Sequence, residues 1–484
     1  MFYIGFLQLA LKSMVQNLES KNTGLLMKSM QGQEKRKEME VFPIPTALVK
    51  TAIEVQEWLY ADCFSEKENA DTSIDLYGLY ACVLDIHRVF SSEFCVMSED
   101  LSIPGSFILS NLGIYASKAA KIVLKLKAFP DEEDKNATSC YNSACLVRSI
   151  CLSFRRFSPA LKPVGFQSLC AIILSLYSKT WLFREHTAFQ NTYEMIRDAT
   201  VALFCNAEKH NQMGLLLRTV TAEIKMSSQV CRSLDACSLR VHRTELMLHM
   251  LLDIIPEVLH KKSKQDNFAY HVNRQHGDMI SAISALLDSH ATLSLQLIQV
   301  FLVKCPEVFS RESGAKMLML ILNGVGHVVD KSLESFDLVV IDLSTKVLLE
   351  LVRFYTEFVI KYVPLFLSVL NRLQLVLVKC NEKAPSIQDT CDNFARISEE
   401  LSKNAEVFRH HAVYWLSDYV GLMKTPTIPS TIKQSMHLSS YYWLDMSSEY
   451  ELQQIHAVSD NTTRSLFKSL YNDYEQFHKY IGKV

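Results

Sequence analysis

Residues that turn a chain are scarce here: 14 glycines and 12 prolines among 484 residues leave little material for the tight turns of a large all-β fold. Charge of one sign is not in surplus either. The net charge is −2, so the totals supply no drive toward nucleic acid, where non-specific affinity depends on excess Lys and Arg. No Cys-x-x-Cys occurs, and neither Cys140, Cys145 and Cys151 nor Cys231 and Cys237 have the spacing of a zinc knuckle; they read as small core residues. No His pair brackets a Glu as in zinc proteases. No glycine-rich loop is followed by the lysine that a phosphate cradle needs, and Gly324-Val325-Gly326, inside an apolar helical pattern, reads as close helix packing. His271 and His276 lie near Asp278 in a polar loop without a third ligand. His410 and His411 are adjacent on a helix, about 100° apart, so one is expected to face the core and the other solvent rather than chelate one ion. These residues point to no catalytic group, no metal, no cofactor and no small-molecule substrate.

What is present is apolar helix. A hydrophobic content of 49% excludes a mainly disordered chain, and 13 cysteines, an odd number scattered on apolar faces, read as reduced thiols of nucleus or cytosol. The most informative stretch is Ser335 to Cys380. Asp342, Lys346, Glu350, Arg353, Glu357, Lys361, Ser368, Arg372 and Lys379 recur at helical steps within an arc of about 120°, and the rest is nearly all apolar. One narrow wet stripe on a greasy helix predicts neighbours on several sides. Asp342 with Lys346 and Glu357 with Lys361 are acid-first pairs at four-residue spacing. The longest uncharged run in this stretch, Tyr362 to Asn371, is too short for a membrane span of about 18 residues or more. Pro364 predicts a kink, because it cannot bond the carbonyl of Ile360.

In chain order, Met1 to Glu40 predicts a weak amphipathic helix and a charged linker around Lys35, Arg36 and Lys37. The absence of basic residues before its apolar run argues against a signal peptide. Helices are then expected over 46–64, 73–96, 106–129, 140–157, 166–183, 187–208, 213–226 and 233–259, the last interrupted at Pro256. The polar, basic run from His260 marks a boundary. Beyond it come 278–304, 313–329, the stretch above, 386–402, 405–423, 430–445 and 462–480. No fixed period recurs, so consensus repeat families are unsupported. Helices joined by short loops predict an all-α fold, an irregular α-solenoid of ARM/HEAT-like stacked antiparallel helices. It divides into 1–42 (helix and linker), 43–265 (helical repeats) and 277–484 (C-terminal helical domain).

The C-terminal block carries a recognisable order of pieces: Phe394-Ala395-Arg396-Ile397 with Glu400-Leu401, then Arg409-His410-His411-Ala412 leading to Tyr414, Leu416 and Tyr419-Val420. Leu444-Asp445 follows, and then Arg464 through Tyr471, Asp473-Tyr474 and Lys479-Tyr480. This block resembles the C-terminal domain of the nucleolar pre-rRNA processing family that includes unhealthy ribosome biogenesis protein two. The match is specific over 390–484 and consistent from about 277. Two departures stand out. Met436-His437-Leu438-Ser439-Ser440 replaces a glycine-containing segment, and family members are longer, which implies that this chain is a C-terminal portion, an isoform or an incomplete gene model.

The resemblance implies a non-enzymatic scaffold of the nucleus and nucleolus in ribosome biogenesis, supporting pre-rRNA processing and early large-subunit assembly. Its partners would be pre-ribosomal assembly proteins, with pre-rRNA reached through local basic faces, and no membrane. The residues carrying the motif or a candidate interaction surface are Arg396, Arg409, His410, His411, Asp445, Arg464, Phe467, Lys468, Tyr471, Tyr474 and Lys479. From the residues alone, Leu466, Phe467, Leu470, Tyr471, Tyr474, Phe477 and Ile481 form a docking stripe, Gly482 suits a helix cap, and Arg464 is placed to pair with Asp445. The alternative function is a cytosolic helical-repeat adaptor for trafficking or protein degradation.

Overall fold

The structure, a computed structural model, describes residues 137–157, 163–206, 237–262, 279–304, 314–379, 385–424 and 428–479, with isolated helical positions at 78, 81, 85, 119–121, 123–124, 218 and 220–222. The described residues are helical with short turns, and no strand occurs among them. The expected N-terminal helix and linker, the loop holding His271 and His276, and Gly482 lie outside the described residues. Contacts divide the chain into two units, one of Met1–Val220 with Asp253–Phe268 and one of Thr221–Leu252 with Ala269–Val484.

In the first unit, α1 (Ala137–Phe157) and α2 (Pro163–Trp181) both pack on α3 (Gln190–Asn206). Cys140, Leu146, Val147, Cys170, Ile173, Tyr177, Ile196 and Phe204 are buried there. Burial pushes the Cys151 and Cys170 thiols up, Cys170 to about 12, so both stay protonated and unreactive at neutral pH. Helix α4 (Cys237–Lys262) runs through Pro256 without stopping, so the expected interruption there does not occur.

Its stretch from Asp253 onward carries a polar clamp. Tyr177 Oη and Tyr193 Oη donate to Asp253 Oδ2 at 2.7 and 2.9 Å, and Arg197 Nε donates to both carboxylate oxygens at 3.0 and 2.9 Å. Arg197 Nη2 also meets Glu257 Oε2 at 2.6 Å. One carboxylate thus ties α2 and α3 to the end of α4. Burial, then the bonds to Tyr193 and Asp253, hold the Tyr177 phenol far above its ordinary range, which keeps it a donor.

The second unit contains, after α4's first half, α5 (Ala291–Lys304), α6 (Gly314–Glu334), α7 (Leu338–Phe354), the single-turn α8 (Thr356–Val359), a 3-10 turn Ile360–Tyr362, and α9 (Val363–Lys379). It continues with α10 (Pro385–Ser402), α11 (Ala405–Leu422), α12 (Ser430–Met446), α13 (Glu449–Val458) and α14 (Asn461–Phe477). Two rows emerge from the packing. α5, α7, α10 and α12 contact one another in that order, as do α6, α9, α11 and α13, with α6 against α7 and α11 against α12 joining the rows. The physical cause is the single wet stripe of the sequence: on α7 and α9 most apolar residues are buried, among them Ile341, Leu348, Leu351, Phe366, Leu370, Leu373 and Leu377, so neighbours pack on several sides.

Several boundaries differ from expectation. The predicted kink at Pro364 is a break: the chain leaves α-geometry at Tyr355 (φ −130°) and again in the 3-10 turn, and Pro364 sits in the first turn of α9, where its missing N–H leaves no bond unmade. Tyr355 is held there by its hydroxyl, which donates to the Leu302 carbonyl at 2.8 Å inside the core. The break also undoes one expected pair. Lys346 meets Asp342 at 2.6 Å within continuous α7, whereas Lys361 lies over the Phe358 ring at 5.4 Å, and no Glu357–Lys361 ion pair forms among the described residues. Residues 278–304 are not one helix, because the chain turns at 285–289 before α5. Helix α13 was not anticipated, although Ser448 and Glu451 form a capping box in which the Ser448 N–H donates to Glu451 Oε2 at 2.8 Å.

Gly324 and Gly326 act as the sequence suggested. A Cβ on Gly324 would lie 2.3 Å from Leu287 Cδ1, and one on Gly326 would lie 3.3 Å from Val369 Cγ2. The path Thr356–Lys379 is long and apolar enough on average to cross a membrane, but half of its apolar window is buried against neighbouring helices. Helix packing accounts for its composition.

Candidate interaction surface

Among the described residues no three His, Cys, Asp or Glu side chains come together to hold a metal ion. What the structure builds instead is a polar seam, an aromatic cluster and a groove, all in the second unit.

The seam joins α10 to α12 through small hydroxyls. Ser398 Oγ and Ser439 Oγ lie 2.6 Å apart, Trp443 Nε1 donates to Ser398 Oγ at 3.2 Å, and Ser435 Oγ donates to Asp392 Oδ1 at 2.7 Å. Ser439 and Ser440 are fully buried. The Met436–Ser440 segment that departs from the family pattern therefore lies mid-helix, where small side chains let two helices approach closely. Trp443 stacks on Trp415 of α11 at 5.0 Å and 13° between planes, and Trp415 stacks on Tyr419 at 5.8 Å.

The aromatic cluster forms where α12 meets α14. Tyr474 Oη donates to Asp445 Oδ1 at 2.6 Å, and His478 Nε2 lies 2.9 Å from Asp445 Oδ2. Tyr441 and Tyr442 face the His478 ring at 5.4 and 5.3 Å. Burial and the adjacent Asp445 raise the Tyr474 phenol well above its ordinary range. Asp445 is thus bound to Tyr474 and His478, not to Arg464 as expected. Arg464 Nε donates to the His456 carbonyl at 2.7 Å, because the turn after α13 brings that carbonyl closer than any α12 carboxylate.

The remaining motif residues scatter by role. Phe467, Leu470 and Tyr474 are buried, which shows α14 docked on α11 and α12, while Phe477 is 56% exposed and Ile481 lies outside the described residues. Lys479 Nζ donates to Glu475 at 2.7 Å and lies over Tyr471 at 5.8 Å. Arg409 Nε donates to the Met446 carbonyl at 3.2 Å, a cation at the C-terminal end of α12. Arg396 is exposed beside Asn393 Oδ1 at 3.2 Å, and Lys468 is exposed. His410 is exposed and His411 half-buried, so neither is the core residue that was expected. Sequence reading missed His478, Tyr441 and Tyr442. The spacing of Tyr441 and Tyr442 from Asp445, one helical turn, was the available signal.

The groove lies between α9 and α11. It encloses about 440 Å³ and is lined by Pro364, Leu367, Ser368, Asn371, Arg372, His411, Tyr414 and Trp415. Arg372 Nη1 is tied to Asp330 at 2.6 Å. Burial, and then the neighbouring His410, hold the His411 imidazole below its ordinary range, so the wall it forms is uncharged at neutral pH.

These helices carry the pieces of the C-terminal block on one packed unit, and one known family matches over that region. Residues 277–483 match the Urb2/Npa2 family. The match confirms the resemblance stated from the sequence and covers its weaker upstream part as well. Urb2/Npa2 proteins are ribosome-biogenesis factors and not a known enzyme family. No solved structure matches this chain.

Proposed function

We propose that this chain is a non-enzymatic scaffold of nucleolar ribosome biogenesis, supporting pre-rRNA processing and early large-subunit assembly. The observation that carries the reading is the Urb2/Npa2 match over 277–483. The two rows of α5, α7, α10, α12 and α6, α9, α11, α13 support an irregular solenoid, in which each helix stacks on the second or third one along. In the same reading, 43–265 and 277–484 act as separate helical domains. Such an array offers long outer faces rather than an enclosed pocket.

Pre-ribosomal assembly proteins are the favoured partners. Many cations of the second unit are already neutralised: Arg353 by Glu400 at 3.5 Å, Arg372 by Asp330 at 2.6 Å, Lys424 by Asp460 at 2.8 Å and Lys479 by Glu475 at 2.7 Å. Pre-rRNA would be reached through smaller exposed sites such as Lys468, and such contacts would weaken steeply with salt. Depletion of the chain in its own cells tests the reading. Large-subunit rRNA precursors should fail to mature and the tagged chain should concentrate in nucleoli. A purely cytoplasmic signal with normal precursor processing, or co-purification with coat or ligase subunits instead of assembly factors, would overturn it.

A further inference from the structure

The turn between α12 and α13 carries chemistry that helix packing does not use. Ser447 and Ser448 leave α12 in extended backbone, with φ/ψ of −78°/138° and −86°/170°. Glu449 and Tyr450 follow on the outside, the tyrosine 67% exposed. Ser448 is half-buried. Among the described residues it alone of the serines and threonines has carboxylates one and three residues on, Glu449 and Glu451. A serine kinase with a basic substrate groove reads that arrangement, because its Lys and Arg side chains pair with the two carboxylates while the hydroxyl meets the phosphate donor.

Ser448 also fastens the helix that follows it. Its N–H donates to Glu451 Oε2 at 2.8 Å, and its Oγ–H donates to the same oxygen. Helix α13 packs on α11 and is ten residues long, too short to be stable by itself in water. Of its described side chains only Ile455 and Glu451 are buried, so its first turn depends on a carboxylate and a hydroxyl rather than on a broad apolar face. Such a turn opens locally at little cost, which admits a kinase.

We propose that Ser448 is a phosphorylation site whose modification releases α13 from α11. Ser448 Oγ attacks the γ-phosphorus of a kinase-bound nucleoside triphosphate. The new O–P bond forms as the bond to the β–γ bridging oxygen breaks, the nucleoside diphosphate leaves, and the hydroxyl proton passes to the kinase's general base. The product places about two negative charges on the oxygen that had donated to Glu451, so a donor is lost and like charges meet across the former bond. In the unmodified chain the Ser448 hydroxyl, with Arg409 adding to it, holds the Glu451 carboxyl below its ordinary range. A phosphate competes with Glu451 for that guanidinium as well. Release bares the flank of α11 at the end of the row α6, α9, α11, α13.

Treating the full chain with casein kinase II and ATP tests the proposal. The readout is residue-resolved mass spectrometry, because Ser65-Glu66-Lys67-Glu68 carries the same acids. Phosphate should appear at Ser448 and not at Ser447. Glu451→Gln keeps the capping box but removes one carboxylate, and should slow modification of Ser448 about tenfold. Hydrogen exchange of 449–458 should run about tenfold faster once Ser448 is modified. Ser448→Asn keeps a good cap and accepts no phosphate, so after the same treatment it should exchange like the untreated chain. The chain purified from its own cells should carry the same phosphate. Ser448 left unmodified in the full chain or in cells, or exchange of 449–458 unchanged or slowed by the phosphate, would overturn the proposal. None of these readouts depends on the scaffold reading.

Discussion

Replacing Asp253 should loosen one end of the first unit in a graded way. Its carboxylate receives Tyr177 at 2.7 Å, Tyr193 at 2.9 Å and Arg197 through both oxygens, while the Asp253 and Arg197 side chains are 29% and 27% exposed. Breaking a buried charge pair from one side costs about 3–5 kcal/mol. Partial exposure and the second partner of Arg197, Glu257 at 2.6 Å, place Asp253→Ala near the low end, about 3 kcal/mol. Asp253→Asn keeps the shape but turns an NH2 toward donors, for about 2 kcal/mol, and Tyr177→Phe removes one bond, for about 1 kcal/mol. The chain has two units and need not unfold in one step, so a global midpoint is the wrong readout. Hydrogen exchange of peptides covering 190–206 and 253–262 reports the local opening free energy. The expected order of lost protection is Asp253→Ala, then Asp253→Asn, then Tyr177→Phe. Protection unchanged within about 0.5 kcal/mol for Asp253→Ala, or a reversed order, would refute the argument that this carboxylate fastens three helices.

Three further outcomes follow from the second unit. Gln374 is fully buried with both amide atoms unpaired, so Gln374→Met should stabilise the unit by about 1–2 kcal/mol in hydrogen exchange of peptides covering 363–379; a loss instead would mean that an internal water satisfies it. Gly324→Ala places a methyl on Leu287 and should cost about 1–3 kcal/mol, and Leu287→Ala in the same chain should recover part of that loss if the clash is the cause. Burial, and then Lys433, hold the His437 imidazole below its ordinary 6.5, with Asp473 acting the other way and the Tyr419 and Tyr441 rings edge-on to it. The unfolded chain therefore takes up the proton first. Stability is full above about pH 6.5 and falls as pH drops toward the folded value; His437→Phe should flatten that decline in the local opening free energy of 430–446, read by hydrogen exchange between pH 7 and 5, and an unchanged slope would place the acid sensitivity elsewhere.

Periodicity made most of the helices legible, because the narrow polar stripe of α7 and α9 recurs at helical spacing whatever packs around it. It failed where a tertiary contact overrides local preference. Tyr355 breaks a pattern that reads as continuous because its hydroxyl reaches Leu302 across the core, and α4 continues through Pro256 although a proline there frees a carbonyl. Nothing within either segment encodes those outcomes. The capping box at Ser448 and Glu451 was legible, and only its short helix made it easy to pass over.

The interaction residues divide the same way. Phe467 and Tyr474 were visible as a docking stripe, but charge partners were not. Arg464 chose a backbone carbonyl and Asp445 chose Tyr474 and His478, since partner choice depends on distances between helices that spacing along one helix does not specify. The groove between α9 and α11 had no sequence signature at all, because its lining residues become neighbours only when the two helices pack.

Gradient sedimentation of nuclear extract, probing each fraction for the tagged chain and for rRNA precursors, tests the scaffold role most sharply. A scaffold of precursor assembly should travel in large particles containing large-subunit precursors and shift to slow fractions when precursor synthesis is blocked. A single slow peak consistent with the free 55.2 kDa chain, unaffected by that block, would contradict it.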